Sequence, residues 1–121
     1  MKILVVDDDP AMLIVAALAL EKIGGHEVLQ AQDGAEAIQC AKEKRPDAIL
    51  MDMVMPDLDG PDVLEKLRAH EETGQIPVIF HTAKNSPSDV RSMLALGAKG
   101  VIGKPFDPLM LPGEIARILQ S

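Results

Sequence analysis

Asp7, Asp8 and Asp9 stand in a row at the end of the apolar run Ile3-Leu4-Val5-Val6. A further aspartate, Asp52, closes the run Ala48-Ile49-Leu50-Met51, with Asp57 and Asp59 close behind it. Carboxylates brought together repel one another and each resists losing its water, so such a cluster is costly unless a cation sits among them. Oxygen donors that leave room for water suit Mg²⁺. Two other strand-like runs end in groups of complementary chemistry: Thr82 after Val78-Ile79-Phe80-His81, and Lys104 after Val101-Ile102-Gly103. A hydroxyl and an ammonium facing a metal-bound carboxylate make a site for phosphoryl chemistry. There Asp52 can attack phosphorus, Lys104 and Mg²⁺ can neutralise the equatorial oxygens, and Thr82 can hydrogen-bond one of them. Asp9 reads differently, since Pro10 follows it and makes it a helix cap.

For these residues to meet, the elements that carry them must end at one edge. Short apolar runs at 3–6, 28–29, 48–51, 78–80 and 101–102 alternate with stretches of helical length at about 10–23, 34–44, 61–70, 87–96 and a last one reaching Leu119. That order is βα repeated five times. Unbroken apolar strands, each followed by a helix, specify a parallel sheet covered on both faces, with ligands bound outside the carboxyl ends of the strands. Asp9-Pro10, Ser86-Pro87 and Asp107-Pro108 mark helix starts, and Ser86 with Asp89 approximates a capping box. Gly24 and Gly97 stand where the first and fourth helices should end in the left-handed conformation. Pro112 conflicts with a helix begun at Pro108, so a tight turn is expected at 108–110 and regular helix from near Leu111.

Composition narrows the classes. The 121 residues are the length of one domain, 47% apolar and 26% charged, a globular balance. A net charge of −7 disfavours direct binding to nucleic acid or to an anionic membrane and favours cations or cationic partners. The longest apolar run, Ala11 to Leu20, is about half of what a membrane span needs. Neither a signal peptide nor a disulfide framework is visible, so a cytoplasmic location is expected, with Cys40 a buried structural thiol.

Taken together, Ile3-Leu4-Val5-Val6-Asp7-Asp8, Asp52-Met53-Val54-Met55-Pro56 continuing to Asp59-Gly60, Thr82-Ala83 and Lys104-Pro105-Phe106 resemble the receiver domain of two-component response regulators, the CheY-like family. The resemblance covers essentially the whole chain, residues 1–121. It implies the (βα)5 doubly wound, flavodoxin-like fold with strand order 2-1-3-4-5 and a cis Lys104-Pro105 bond. By resemblance Asp52 is the phosphoacceptor, and Asp7, Asp8, Asp52 and the backbone carbonyl of Val54 are the Mg²⁺ ligands. Thr82 is the switch hydroxyl and Lys104 the phosphate-binding lysine. The implied donor is a phosphohistidine on a sensor histidine kinase or a phosphotransfer protein. The implied readout is an output domain, an effector protein or a phosphorylation-dependent homodimer, and the only reactions catalysed are the chain's own phosphorylation and dephosphorylation.

Some positions depart from the commoner pattern. Val101 stands where many receivers carry an aromatic switch residue, while Val54 and Lys84 fall where the family tunes phosphoryl lifetime. Leu13 and Ile14 replace polar residues usual on the outer face of the first helix and are expected to form a partner surface. His81 should turn to the opposite face from Thr82, as a packed or surface histidine without a catalytic role, and His26 and His70 suggest no role. Three other readings compete: a phosphorylation-independent interaction module, a Mg²⁺-dependent aspartyl phosphohydrolase and an FMN-binding flavodoxin. The first would usually lack one of the acidic pair, the acceptor or the lysine. The second would need a general acid where Val54 stands, and Asp7-Asp8-Asp9 would repel the flavin phosphate of the third. Ending just past the last helix, the chain reads as a stand-alone receiver or as a piece of a longer regulator.

Overall fold

Each apolar run becomes a parallel strand in the computed structural model, which describes residues 1–121. The strands are β1 (Lys2–Val6), β2 (Glu27–Ala31), β3 (Ala48–Asp52), β4 (Val78–Thr82) and β5 (Gly100–Gly103), and they form one sheet in the order β2-β1-β3-β4-β5. The helices are α1 (Pro10–Leu18), α2 (Gly34–Lys44), α3 (Gly60–Arg68), α4 (Pro87–Ala95) and α5 (Leu111–Gln120), with α1 continuing as a wider π-type turn over Ala19–Ile23. This is the doubly wound flavodoxin-like architecture. Its accessible surface is 6287 Å², against roughly 6,300 Å² expected for a folded chain of this mass.

Side chains alternate across the strands and fill two cores. On one face Leu4, Val6, Ile49, Met51, Val78 and Phe80 pack under α2, α3 and α4. On the other, Ile3, Val5, Leu50, Ile79 and Ile102 pack under α1 and α5. Burial on both sides explains why β1 from Ile3 on, β3 and β4 run apolar until their carboxyl ends, while the edge strand β2 carries exposed Glu27 and Gln30.

Most boundaries arise from the predicted chemistry. Asp9 caps α1, its side chain accepting from the Ala11 N–H, and Ser86 with Asp89 closes a complete capping box at α4. Gly97 adopts φ +111° after α4. The turn at 108–110 is present, so Pro112 falls in the first turn of α5, where its missing N–H has no intrahelical partner to lose. Asp107 therefore caps that turn, its carboxylate accepting from the Leu109 N–H at 3.0 Å, and α5 begins after Met110.

Two expectations are corrected. Gly24 keeps a right-handed φ of −85° and Gly25 takes the left-handed one at +70°, because the π-type turn delays the end of the first helix by a residue. Leu13 is buried at 2% exposure and packs in the α1–α5 core, while Ile14 is 57% exposed. The expected pair is thus split between core and surface. Cys40 is half-buried against the other core, and burial pushes its thiol pKa up.

Candidate phosphoryl-transfer site

Parallel pairing brings the carboxyl ends of β1, β3, β4 and β5 to one edge, where the predicted residues converge. Carboxylate oxygens of Asp7, Asp8 and Asp52 all lie within 4.8 Å of one another. Asp7 and Asp52 are buried and Asp8 is exposed. Lys104 reaches into the cluster from the end of β5, its Nζ 3.1 Å from Asp52 Oδ2 and 3.6 Å from Asp7 Oδ2. Three carboxylates and one ammonium leave two negative charges uncompensated. A set of carboxylates that are few, clustered and partly open to water fits Mg²⁺, which binds through one or two such groups and keeps part of its hydration shell.

The electrostatics carry the same imbalance. Burial, assisted by the charges of Asp52 and Asp8, holds the Asp7 carboxyl above its ordinary pKa, although the Asp9 N–H at 2.9 Å and Lys104 pull it down. Burial works against the Lys104 charge, yet Asp52 and Asp7 together raise its pKa above the usual lysine value.

Thr82 ends β4 opposite Gly103 of β5. Its hydroxyl oxygen accepts from the Lys84 N–H at 3.1 Å, and its carbonyl accepts from the Lys104 N–H at 2.9 Å. Thr82, Lys84, Lys104, Val54 and Asp59 line one open cleft with Asp52. Val54 sits on the rim with its side chain 71% exposed, and its N–H lies 3.4 Å from Asp52 Oδ1.

The other aspartates of the sequence cluster lie outside the Asp7, Asp8 and Asp52 group, Asp59 on the wall of the cleft and Asp57 outside its lining. Asp57 caps α2 from a distance, accepting from the N–H groups of Gly34 at 2.9 Å and Ala35 at 3.0 Å, and these donors lower its pKa. Asp59 precedes α3 without a side-chain capping bond.

Two glycines to which the sequence reading gave no role of their own shape the site. The Gly60 N–H donates to the Met53 carbonyl at 2.7 Å, folding the β3–α3 loop onto β3, and a Cβ there would lie 3.0 Å from the Asp52 carbonyl and 2.8 Å from Phe80. At Gly103 a Cβ would collide with Asn85 Nδ2, so the loop after Thr82 rests in the notch that this glycine leaves. Only the glycines themselves hinted at such close approaches.

Of the two places the sequence left open for His81, core and surface, it takes the core. It is 3% exposed, its ring centroid lies 4.9 Å from that of Phe106, and the rings are inclined at 56°. Burial first, then the Lys104 charge, pushes its pKa down to about 4, so the imidazole is neutral at physiological pH. The Lys104-Pro105 bond is cis.

A family model described as the response regulator receiver domain matches residues 3–116. The chain is 37% identical to protein PilH of Pseudomonas aeruginosa over 118 residues, covering 98% of this chain and 97% of PilH. It is 36% identical over 119 residues to the alkaline phosphatase synthesis transcriptional regulatory protein PhoP of Bacillus subtilis, covering 98% of this chain but 48% of that protein. The chain thus spans about half the length of the transcriptional regulators it matches. Among solved structures, the chemotaxis response regulator CheY4 of Vibrio cholerae matches with a TM-score of 0.89 and 32% identity over 97% of both chains. The receiver domain of the sensor histidine kinase PA1611 from Pseudomonas aeruginosa, solved with a magnesium ion coordinated in its active site cleft, matches at 0.86 and 33% identity over 99% of this chain and 98% of that one.

Proposed function

The chain belongs to the receiver-domain family of response regulators, and on that premise we propose that Asp52 accepts a phosphoryl group from a phosphohistidine of a sensor kinase or phosphotransfer protein. The observation that carries this reading is the meeting of Asp7, Asp8 and Asp52 within 4.8 Å, with Lys104 Nζ 3.1 Å from the proposed nucleophile.

In the step itself a carboxylate oxygen of Asp52 forms a bond to phosphorus as the P–N bond of the phosphohistidine breaks, and the electron pair leaves with the donor imidazole. Asp7, Asp8, Asp52 and the Val54 carbonyl would hold Mg²⁺, which would supply charge neutralisation for the phosphoryl group. Lys104, paired with Asp52 and Asp7 beforehand, transfers one of its N–H donors to a phosphoryl oxygen, a charge-assisted contact. The Thr82 hydroxyl accepts from Lys84 and keeps its own proton free to donate, so it can turn to the phosphoryl group without losing that bond. This draws the loop after Thr82 inward and shifts the population of its conformers, which is the signal read by a partner or output domain. Val101 is too short and too stiff at χ1 to relay the change by swinging, so the loop carrying Lys84 and the start of α4 carry it. The reaction is confined to the chain's own acyl phosphate, residues 1–121 act as one domain, and the donor is met in the cytoplasm. No helix is long and apolar enough to cross a membrane.

Incubation with acetyl phosphate and Mg²⁺ tests the assignment. Intact-mass spectrometry should show one added phosphoryl group, stable to acid and labile to base, that is lost in Asp52→Asn. Unchanged labelling of Asp52→Asn would overturn it.

A further inference from the structure

We propose that His81 is a positioning residue for phosphoryl transfer, acting through Phe106 on Lys104. This rests on the receiver reading above and extends it to a residue in the core beneath the cleft. His81 pairs in register with Asp52 on β3 and with Ile102 on β5, so its side chain shares a sheet face with the residues that lead into Asp52 and Lys104. Its ring packs against Phe106, which stands two residues beyond Lys104, is partly buried against the α1–α5 core and lines a shallow cavity with the start of α1.

Lys104 is thereby tied to β4 on both sides. Its own N–H donates to the Thr82 carbonyl at 2.9 Å, and the aromatic pair holds the chain after it. Adjacent residues of one strand, His81 and Thr82, together set where the ammonium enters the carboxylate cluster.

A second observation concerns the choice of residue. His81 Nε2 is the one buried side-chain nitrogen or oxygen without a hydrogen-bond partner, and buried polar atoms nearly always have one. No protein group pairs with that nitrogen, whereas the ring makes the contact with Phe106. A tilted aromatic pair fixes orientation in a way that an aliphatic side chain of similar volume does not.

The test uses the full chain with Mg²⁺ and acetyl phosphate, following the phosphorylation rate by intact mass and Mg²⁺ affinity by titration. His81→Ala should slow phosphorylation about tenfold, as a lysine displaced by a fraction of an ångström would. Its Mg²⁺ affinity should hardly move, because the acidic ligands are untouched and the ammonium keeps its charge within the cluster. His81→Phe, which keeps a ring and removes the unpartnered nitrogen, should restore the rate to within about twofold while raising the melting temperature. In a Lys104→Ala background His81→Ala should cost nothing further, since its effect runs through that lysine. An undiminished rate in His81→Ala, a rate in His81→Phe as slow as in His81→Ala, or the same loss in the Lys104→Ala background would each overturn the proposal. A wild-type chain that takes up no phosphoryl group would instead overturn the receiver reading itself.

Discussion

Replacing Lys104 by Met removes the ammonium from the acidic cluster and keeps the apolar stem, which isolates the charge. At an effective dielectric of 20 the ion pairs at 3.1 and 3.6 Å amount to roughly 5 kcal/mol each. Three carboxylates whose oxygens lie within 4.8 Å of one another repel by at least roughly 3 kcal/mol per pair on the same scale. Attraction and repulsion are thus comparable, and Lys104 is what makes the metal-free cluster tolerable. The side chain of Lys104 is 26% exposed and Asp8 lies in water, so screening reduces the net worth of each pair to about 1 kcal/mol, or about 2 kcal/mol together. At about 4 °C per kcal/mol for a domain of this size, Lys104→Met should lower the Mg²⁺-free melting temperature by about 8 °C. With Mg²⁺ bound, cation and ammonium repel and the lysine contributes little, so saturating Mg²⁺ should erase most of the difference. The same 2 kcal/mol then appears as Mg²⁺ binding about 30-fold tighter in the variant. Thermal melts by circular dichroism across a Mg²⁺ series measure both. An equal loss with and without Mg²⁺, or weaker Mg²⁺ binding, would refute the charge-balance argument.

Asp7→Asn should stabilise the metal-free protein and abolish the Mg²⁺-dependent shift in melting temperature. The folded pKa of Asp7 lies above its unfolded value, so its contribution is favourable below the unfolded pKa and is lost as pH rises through the folded one, leaving a net cost at neutral pH. Lys104 behaves alike in sign but on the alkaline side: its contribution is complete below the unfolded value near 10.5 and disappears as pH rises through the raised folded value. Alkaline melts of the wild type should therefore fall more steeply than those of Asp52→Asn. At the end of α2, Arg45 sits at φ +46° without being glycine, and Arg45→Gly should gain up to about 1 kcal/mol, read as a rise of about 4 °C in melting temperature. The exposed apolar side chains of α1, Ile14 and Leu18 at 57% and 52%, lie one turn apart on a single outer stripe of the helix that starts at the site edge. An Ile14→Glu, Leu18→Glu variant should lose phosphotransfer from a protein donor yet still accept phosphate from acetyl phosphate, and equal loss of both would exclude a docking role.

Features governed by neighbours along the chain were legible before folding. Apolar runs of strand length, the caps at Asp9 and Ser86, and the conflict between Pro108 and Pro112 each follow from local backbone chemistry, and each is present in the structure. The converging residues were legible for a related reason: parallel strands with helical crossovers must all deliver their carboxyl ends to one edge, so Asp7, Asp52, Thr82 and Lys104 could be brought together from strand order alone. Helix phase was not legible at α1, where apolar residues run nearly without a break and no periodicity tells Leu13 from Ile14. Packing decided it, by giving Leu13 to α5 and leaving Ile14 in water.

The contacts that shape the site in detail join segments far apart in sequence. Asp57 caps α2 across 23 residues, Asn85 fills the notch at Gly103, and His81 supports Phe106. No local preference encodes such pairs, because each depends on how strands align and loops fold over the sheet edge. Residue types and their order along the chain determined which groups could do phosphoryl chemistry and on what scaffold. Only the three-dimensional packing determined where Asp57 is used, which apolar side chains stay exposed, and how the lysine is held, because those outcomes depend on distances between segments that meet only when the sheet has formed.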